Sequence, residues 1–158
     1  MSTRTVFGRP EHILIVDDDE DDCLLVREAF EESRPDSKLN FVHDGEQMMA
    51  YLLHQPPFED SVRHPTPDLI LLDLNMPRMD GREALLAIKG HAQLRRIPVI
   101  VLTTSSDSGD VAQSYDNGVN SFITKPASYN ELIEFVRQLG DYWLALVNLP
   151  PSPVIREE

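Results

Sequence analysis

The chain has 158 residues, of which 41% are hydrophobic, a length that suits one domain with short extensions rather than two independent cores. Its 27 acidic and 14 basic residues give a formal net charge of −13, which opposes the phosphate contacts of nucleic-acid binding, so no DNA or RNA partner is expected. A single cysteine excludes an internal disulfide, and without a signal-peptide pattern or an apolar run of membrane-spanning length a cytoplasmic protein with no membrane contact is expected.

Short apolar segments alternate with longer segments of helical periodicity, the pattern of repeated βα units built on a parallel sheet. The predicted strands are His12–Val16, Leu39–Val42, Asp68–Leu72, Ile97–Leu102 and Ser121–Thr124. The first, third and fourth are almost continuously hydrophobic, as expected of central strands that helices cover on both faces. The second alternates more between polar and apolar residues, so it is expected at an edge.

Helical periodicity predicts a helix after each strand. The predicted helices are Asp21–Ser33, Glu46–Leu53, Arg82–His91, Val111–Asn117 and Tyr129–Asn148. Asp19 is placed to cap the first helix, Gly118 to end the fourth, and Ser128 with Glu131 to form a capping box for the fifth. The segment His54–Pro67 contains four prolines and no periodicity, so we expect an irregular connection there.

Polar side chains follow four of the predicted strands at their carboxyl ends, where ligand sites form in doubly wound sheets. These residues are Asp17 and Asp18 after the first strand, Asp73 after the third, Thr103 after the fourth and Lys125 after the fifth. Right-handed crossovers bring these strand ends to one rim of the sheet. Carboxylates so close repel one another unless a cation lies between them, and oxygen-only ligands favour octahedral Mg²⁺, with Mn²⁺ as a substitute.

The same rim suits phosphoryl chemistry on Asp73. An ionised carboxylate that attacks phosphorus gives an acyl phosphate without a general base, while the metal and Lys125 neutralise charge on the phosphoryl oxygens. Thr103 can donate a hydrogen bond to the same group, and a backbone carbonyl near Asn75 can join the metal's ligands. Each residue alone has an ordinary structural interpretation, and their joint placement favours a site. The neighbouring acidic run Glu20–Asp22 is interpreted as a solvated helix start that the helix dipole favours.

Four strings, ILIVDDD, LILLDLNMPRMDG, PVIVLTTS and SFITKP, resemble in content and order the defining blocks of response-regulator receiver domains of the chemotaxis-regulator-like type. The resemblance covers residues 11–149 as the receiver domain and leaves an N-terminal extension, 1–10, and a C-terminal tail, 150–158. It implies an α/β, flavodoxin-like, doubly wound five-stranded parallel sheet of order 2-1-3-4-5 with five helices. It also implies a two-component phosphorelay response regulator that receives a phosphoryl group and is not an enzyme acting on external substrates.

The resemblance assigns a role to each residue of the rim. It makes Asp73 the phosphoacceptor and Lys125 the lysine that binds the phosphoryl group. It makes Asp17 and Asp18 the acidic pair, so that together with Asp73 and the backbone carbonyl of Asn75 they hold Mg²⁺. The expected output is a change in dimerisation or partner binding on the face built from the fourth helix, fifth strand and fifth helix.

Further roles come from the same resemblance. Thr103 and Phe122 are similar to the family's two switch residues, a hydroxyl and an aromatic side chain that move together on phosphorylation. Asn75 and Ser105 occupy the positions that tune the rate of dephosphorylation. The Lys125–Pro126 bond resembles the family's cis peptide and is expected to be cis.

The predicted fifth helix is unusually apolar. Projected at 3.6 residues per turn, its apolar side chains span ~200°, about twice the stripe that one core covers. The surplus of apolar surface predicts a homodimer interface, for which Phe135, Tyr142, Trp143 and Leu146 are the candidates.

The ending YWLALVNLP and the proline-rich segment also resemble single-domain regulators that partner bacterial phytochrome histidine kinases, so a sensor kinase of that type is the expected partner.

Two other functions fit parts of the pattern. A pseudo-receiver, a binding module that keeps the fold without phosphorylation, would take no phosphoryl group from any donor. A haloacid-dehalogenase-type phosphatase also combines an Asp nucleophile, a Lys, a hydroxyl and Mg²⁺. That chemistry expects a general-acid Asp two residues after the nucleophile, where Asn75 stands, and a nucleophile on the first strand, where the acidic pair stands. The motif order therefore favours the receiver.

Overall fold

The computed structural model describes residues 11–104 and 108–146, with side chains described as far as residue 143. Within those residues the strands are β1 (His12–Val16), β2 (Lys38–Val42), β3 (Leu69–Leu72), β4 (Val99–Thr103) and β5 (Ser121–Thr124). The helices are α1 (Glu20–Ser33), α2 (Gly45–Leu52), α3 (Gly81–Gly90), α4 (Ser108–Asp116) and α5 (Tyr129–Leu139), and a π-helical segment, Gly140–Leu146, continues from α5. The predicted alternation of strands and helices is confirmed, with boundaries that shift by up to three residues apart from the end of α5.

The strands form one parallel sheet in the order β2-β1-β3-β4-β5, which confirms the predicted order and places β2 at an edge. Val16 at the end of β1 lies opposite Leu72 at the end of β3. Thr103 at the end of β4 lies opposite Thr124 at the end of β5. The carboxyl ends of β1, β3, β4 and β5 therefore lie along one rim of the sheet, and the residues that follow these strands lie at the same rim.

Hydrophobic side chains cover both faces of the sheet. On one face α2 and α3 bury Met48, Leu52, Leu85 and Ile88 against Leu14, Val16, Ile70, Leu72, Val99 and Val101. On the other face α1 and α5 bury Val26, Phe30, Leu132 and Val136 against Ile13, Ile15, Leu69, Leu71 and Ile100. Each fully buried side chain of this size contributes roughly 1.5–3 kcal/mol relative to exposure, so the central strands are a rigid platform for the rim.

Short polar side chains start the helices close to the strand ends. Asp19 caps α1, Asp44 caps α2, Asp80 caps α3 and Ser128 caps α5, each accepting a hydrogen bond from a backbone N–H of the first turn. The predicted caps Asp19 and Ser128 are thus confirmed, whereas the Glu131 carboxylate accepts from the Ala127 N–H and not from the Ser128 N–H that a capping box requires. Gly118, with a φ of 96°, follows α4 in the left-handed region that favours glycine, as the sequence predicts for the end of that helix.

Gly81 allows α3 to begin directly against the end of β3. A Cβ at this position would overlap the backbone oxygen of Asp73 and the Cα of Leu74. The Gly81 N–H donates to the Leu74 carbonyl at 2.9 Å, which closes the loop between β3 and α3. Glycine is required here by the close backbone approach, and the position of Asp73 depends on it.

The prediction that one α-helix runs from Tyr129 to Asn148 is wrong. The α-helix ends at Leu139, and the chain continues as the π-helical segment up to residue 146, with residues 147 and 148 outside the described part. Gly140, where the helix changes, lies against the side chain of Arg34, which a Cβ would overlap. Arg34 is held in place by a 2.7 Å ion pair with the buried Glu11. The widened helical turn also changes the apolar arc that a 3.6-residue projection gives.

The expectation of a cis Lys125–Pro126 bond is also wrong. Within residues 11–104 and 108–146 the cis peptide bond joins Pro56 to Pro57, and Lys125–Pro126 is trans. With the trans bond, the Lys125 N–H donates to the Thr103 carbonyl at 2.7 Å, and the Ala127 N–H donates to the Glu131 carboxylate at 3.2 Å. These hydrogen bonds fix the passage from β5 into the first turn of α5.

The proline-rich segment between α2 and β3 is irregular, as predicted, and it packs on the protein through aromatic side chains. The buried Tyr51 donates its hydroxyl to the Pro65 carbonyl at 2.8 Å, and its ring contacts Phe58 and His64.

None of the helices in the described part of the chain is both long and apolar enough to cross a membrane.

Candidate functional site

Three carboxylates meet at the rim of the sheet. Oxygen atoms of Asp17, Asp18 and Asp73 all lie within 4.8 Å of one another, and within the described residues these side chains are the one group placed to share a metal ion. Asp17 and Asp73 are buried, whereas Asp18 is exposed. The parallel register explains their meeting, because Asp17 and Asp73 directly follow the paired residues Val16 and Leu72. The structure therefore brings together the acidic residues that the sequence predicts.

Lys125 supplies the positive charge of the site, with an unexpected choice of partners. Its Nζ donates to Asp17 Oδ2 and to Asp22 Oδ2, both at 2.7 Å, and lies 3.6 Å from Asp73 Oδ2. The predicted pairing with Asp73 is thus the longest of the three contacts. The interpretation of Asp22 as a merely solvated residue is wrong, because its carboxylate forms half of this hydrogen-bonded arrangement.

The local fold explains the position of Asp22. Asp19 caps α1 by accepting the Asp22 N–H at 3.0 Å, so the first turn of the helix begins at the rim itself. A carboxylate in that turn can reach back to the end of β5. In the sequence, the one indication of this contact is that Asp22 lies in the first turn of α1. An acidic residue in a first turn is also explained by the helix dipole alone, so the position did not predict the contact.

Burial and charge act in opposite directions on the two buried partners. Burial raises the pKa of Asp17 from its ordinary 3.8 to about 6, and the hydrogen bond from Lys125 offsets only part of that increase. Burial also opposes the charge on Lys125. The hydrogen bonds to Asp17 and Asp22, together with attraction to Asp73, outweigh it and raise the pKa of Lys125 above its ordinary value. The ammonium is therefore charged at neutral pH.

Asn75 connects the third and fourth strands at the site. Its backbone N–H donates to Asp73 Oδ1 at 3.3 Å, and its side-chain amide donates to the Thr103 hydroxyl at 3.4 Å. Thr103 is fully buried, and its backbone carbonyl accepts the Lys125 N–H at 2.7 Å. Thr103 thus lies between Asn75 and Lys125, as its position at the end of β4 predicts. Metal ligation by the Asn75 carbonyl stays a prediction.

The two remaining predicted site residues are Phe122 and Ser105. Phe122 is half-buried against the core on the α2–α3 side of the sheet, and its backbone N–H donates to the Tyr115 hydroxyl of α4 at 3.3 Å. Ser105 lies outside the described residues, so its predicted effect on dephosphorylation stays a prediction.

The candidate interface residues of the α5 region do not all face solvent. Phe135 and Trp143 are half-buried against the core cluster of α1 and α5, whereas Tyr142 is 54% exposed. The rings of Tyr142 and Trp143 contact edge to face, with centroids 5.6 Å apart. The side chain of Leu146 lies outside the described part. Among the candidates whose side chains are described, Tyr142 is therefore the one that is mainly exposed, and the interface stays a prediction.

Sequence analysis missed His43 at the site. Its Nδ1 lies 3.0 Å from the backbone carbonyl of Asp17, and because a carbonyl only accepts, that nitrogen carries the proton. The Cys23 thiol also approaches this carbonyl, at 3.5 Å. His43 follows β2 at the same level as Asp17 follows β1, since Val42 pairs with Val16. Strand-end reasoning applied to the edge strand would have found it.

These residues fit a hard divalent cation. The donors are carboxylate oxygens, the exposed Asp18 is reachable from solvent, and burial without a cation disfavours the ionised form of Asp17. A cleft of about 460 Å³ opens beside Asp18 and is bordered by Asn75 and Arg82. Lys125 alone cannot balance three clustered carboxylates. The arrangement can therefore bind a metal ion and a small anion together at one rim.

Known proteins share both sequence and fold with this chain. The profile of the response regulator receiver domain matches residues 13–137. The response regulator Rcp1 of Synechocystis is 44% identical over 143 residues, which are 90% of this chain and 95% of that protein. Its Mn²⁺-bound crystal structure superposes with a TM-score of 0.80, at 43% identity and with coverage of 89% of this chain and 99% of that one.

Two further crystal structures have similar coverage. The phosphorylated cyanobacterial phytochrome response regulator RcpA is 40% identical, with a TM-score of 0.82 and coverage of 89% of this chain and 99% of that one. RPA3017, a response regulator in red light signalling of R. palustris, is 33% identical, with a TM-score of 0.85 and coverage of 90% and 99%. The likeness therefore spans almost the whole of each relative.

Replacing Asp17 by Asn should stabilise the metal-free protein at neutral pH. A carboxyl whose folded-state pKa is raised favours folding below about pH 3.8 and loses that contribution as the pH rises through about 6. We expect Asp17→Asn to raise the free energy of unfolding by about 1–3 kcal/mol at pH 7.5, with the gain shrinking toward pH 4. Urea unfolding at both pH values, in a chelator, measures it.

The matched control is Asp21→Asn, which removes an exposed carboxylate from the first turn of α1, four residues after Asp17. It should change the free energy of unfolding by less than about 0.5 kcal/mol at either pH. A gain from Asp17→Asn that is equal at pH 7.5 and pH 4, or absent at both, would contradict the account of Asp17.

Proposed function

This chain belongs to the response regulator receiver family, and we propose that it takes a phosphoryl group from a sensor histidine kinase on Asp73. The observation that carries this proposal is the set of charged and polar groups around the Asp73 carboxylate. Its buried carboxylate lies within 4.8 Å of two other carboxylates, 3.6 Å from Lys125 Nζ, and beside Asn75 and Thr103. An anion that becomes attached there meets a cation, an amide and a hydroxyl.

Receiver domains bind Mg²⁺ or Mn²⁺ at this acidic pocket, and the Rcp1 structure contains Mn²⁺. In this chain we assign the metal to Asp17, Asp18, Asp73 and the backbone carbonyl of Asn75. When bound, the ion neutralises charge on the phosphoryl oxygens and aligns the donor for attack. The oxygen-only ligand set favours Mg²⁺, with Mn²⁺ able to replace it.

The chain's own residues carry the transfer. A carboxylate oxygen of Asp73 forms a bond to phosphorus while the bond from phosphorus to the donor's leaving nitrogen breaks, and no proton has to be removed from Asp73. Lys125 pairs with a phosphoryl oxygen and Thr103 donates its hydroxyl to another. Attack of water on phosphorus later breaks the bond between phosphorus and the Asp73 oxygen, which releases inorganic phosphate and restores the carboxylate, at a rate that Asn75 and Ser105 adjust. The protein thus catalyses its own transfer and hydrolysis.

Contacts of β4 and β5 provide the route to a distant surface. Phosphorylation adds about 1.5 to 2 negative charges at Asp73, which attracts Thr103 and Lys125 inward. Lys125 is hydrogen-bonded to the Thr103 backbone, and the backbone N–H of Phe122, earlier in β5, binds Tyr115 of α4. Movement of Thr103 therefore biases the face built from α4, β5 and α5, with Phe122 as its aromatic switch.

The alternatives are weaker. The haloacid-dehalogenase-type phosphatase is set aside, because the receiver family covers residues 13–137 and Asn75 occupies the place of the second Asp. A pseudo-receiver would share the family and the fold. It is disfavoured because the described rim contains the three carboxylates, Lys125 and Thr103 together. The experiment below separates it from an active receiver.

The first test is phosphorylation by a small donor. Incubated with Mg²⁺ and acetyl phosphate, the wild-type protein should gain one phosphoryl mass of ~80 Da by intact-mass spectrometry. Asp73→Asn should gain none, and chelation of Mg²⁺ should abolish the gain. The control Asp36→Asn, an exposed carboxylate in the turn before β2, should be phosphorylated like the wild type. No adduct on the wild type, with beryllofluoride also failing to bind, would instead support the pseudo-receiver.

The kinase is proposed to be of the phytochrome type. Support comes from similarity to the phytochrome response regulator RcpA, to Rcp1, and to the red-light regulator RPA3017 over almost their whole lengths. We place the exchange in the cytosol, where ATP is available to charge a histidine kinase. A surface for nucleic acid is not expected at a net charge of −13.

Phosphotransfer kinetics test this partner. A phytochrome-type histidine kinase, charged with radiolabelled phosphate, should transfer its label to this protein faster than a charged histidine kinase with an unrelated sensor. Asp73→Asn should receive no label from either. Faster transfer from the unrelated kinase would contradict the phytochrome assignment while leaving the receiver function intact.

A homodimer through the end of α5 is proposed as part of the output. The support is the exposed Tyr142 beside the half-buried Trp143, an aromatic pair in the π-helical segment that follows α5. Phe135 and Leu146 were predicted to join them. Phe135 mainly packs against the core, so the interface centres on the aromatic pair.

Light scattering after size exclusion tests the dimer. The wild type should have the mass of a dimer at micromolar concentration, and Tyr142→Glu should shift it toward the monomer, because the change buries a charge in the interface. Val62→Glu, at an exposed position in the proline-rich segment, is the control and should stay dimeric. A monomeric wild type both with and without phosphorylation would contradict this part of the proposal.

A further inference from the structure

Lys125 has a hydrogen-bonded partner outside the group of metal-binding carboxylates, and we propose that this partner, Asp22, is a positioning residue that competes with the phosphoryl group for Lys125. The proposal rests on the proposed function, because it concerns the lysine that binds the phosphoryl group on Asp73. It predicts that Asp22 holds the protein toward its unphosphorylated state.

Asp22 and Asp17 form equally short hydrogen bonds with the Lys125 ammonium. Lys125 Nζ is 2.7 Å from a carboxylate oxygen of each, and 3.6 Å from Asp73 Oδ2, which is beyond hydrogen-bonding distance. The side chain of Lys125 is 14% exposed and that of Asp22 is 35% exposed. The hydrogen-bonded partners of the ammonium are therefore Asp22 and Asp17 rather than the phosphoacceptor.

Asp22 and Asp17 differ in whether they can keep their contact with Lys125 when Lys125 moves toward a phosphoryl group on Asp73. Asp17 belongs to the carboxylate group around Asp73, so an ammonium that approaches a phosphoryl oxygen can stay beside it. Asp22 is fixed in the first turn of α1, where the Asp19 cap accepts its backbone N–H. Movement of Lys125 toward Asp73 therefore lengthens the contact with Asp22 first. That contact opposes phosphorylation by the strength of the bond that is lost.

Beryllofluoride, which binds as a phosphoryl mimic with Mg²⁺, measures this competition at equilibrium. We expect Asp22→Asn to bind it about three- to fivefold more tightly than the wild type, the range of a partly exposed ion pair. Calorimetric titration at saturating Mg²⁺ gives the affinity. Asp22→Glu, which keeps the carboxylate, should return toward the wild-type value.

Asp21→Asn is the matched control, because it removes one exposed carboxylate from the same helix turn and thus reproduces the general loss of negative charge. The effect of Asp22→Asn must exceed that of Asp21→Asn. It must also disappear in a Lys125→Met background, because Asp22 acts through Lys125. Urea unfolding confirms that each variant is folded before it is titrated.

The outcomes separate this inference from the proposed function. If the wild type binds beryllofluoride and Asp22→Asn matches Asp21→Asn, or binds more weakly, the competition is overturned while the receiver function stands. An effect that survives in the Lys125→Met background also overturns it. If the wild type neither binds beryllofluoride nor gains a phosphoryl mass on Asp73, the proposed function itself fails.

Discussion

Negative charge concentrated at one rim of the sheet is the constraint on which the rest of the site depends. Three carboxylates lie within 4.8 Å, and Lys125 is the ammonium bound among them. Burial raises the pKa of Asp17 to about 6, and repulsion from Asp73 adds to the increase, so the ionised carboxylate is disfavoured there without a cation. A divalent cation compensates the carboxylates, and Lys125 is then available to compensate the oxygens of the proposed phosphoryl group.

The fold maintains this unfavourable cluster through rigid elements. The paired strands β1 and β3 place Asp17 beside Asp73, and Gly81 lets α3 begin against the Asp73 backbone. His43 and Cys23 bind the Asp17 carbonyl from β2 and α1. None of these contacts neutralises charge. They hold the groups in position, so that binding energy is not spent on ordering the site.

Strand order and the rim residues could be predicted because both follow from simple regularities. Apolar runs identify buried parallel strands, and Asp17, Asp73 and Lys125 directly follow them. Contacts made across elements could not be found this way. Asp22 in a first helical turn has a sufficient explanation in the helix dipole, and His43 follows an edge strand that the argument left out.

Helix geometry shows a second limit of sequence periodicity. The pattern from Tyr129 onward is consistent with one long α-helix, yet the chain changes to a π-helical segment at Gly140. The side chain of Arg34, ion-paired with Glu11, lies beside that glycine, and periodicity does not reveal such a contact between elements. A projection at 3.6 residues per turn therefore does not hold beyond Leu139, and within α5 Phe135 is half-buried against the core.

A crystal structure of the protein with Mg²⁺ and beryllofluoride would test the central claim most directly. The account predicts beryllofluoride on a carboxylate oxygen of Asp73, Mg²⁺ among Asp17, Asp18 and Asp73, and Lys125 Nζ bonded to a fluorine with its contact to Asp22 lengthened. Beryllofluoride elsewhere, or a Lys125 that stays bonded to Asp22 and leaves the fluorines unpaired, would contradict it.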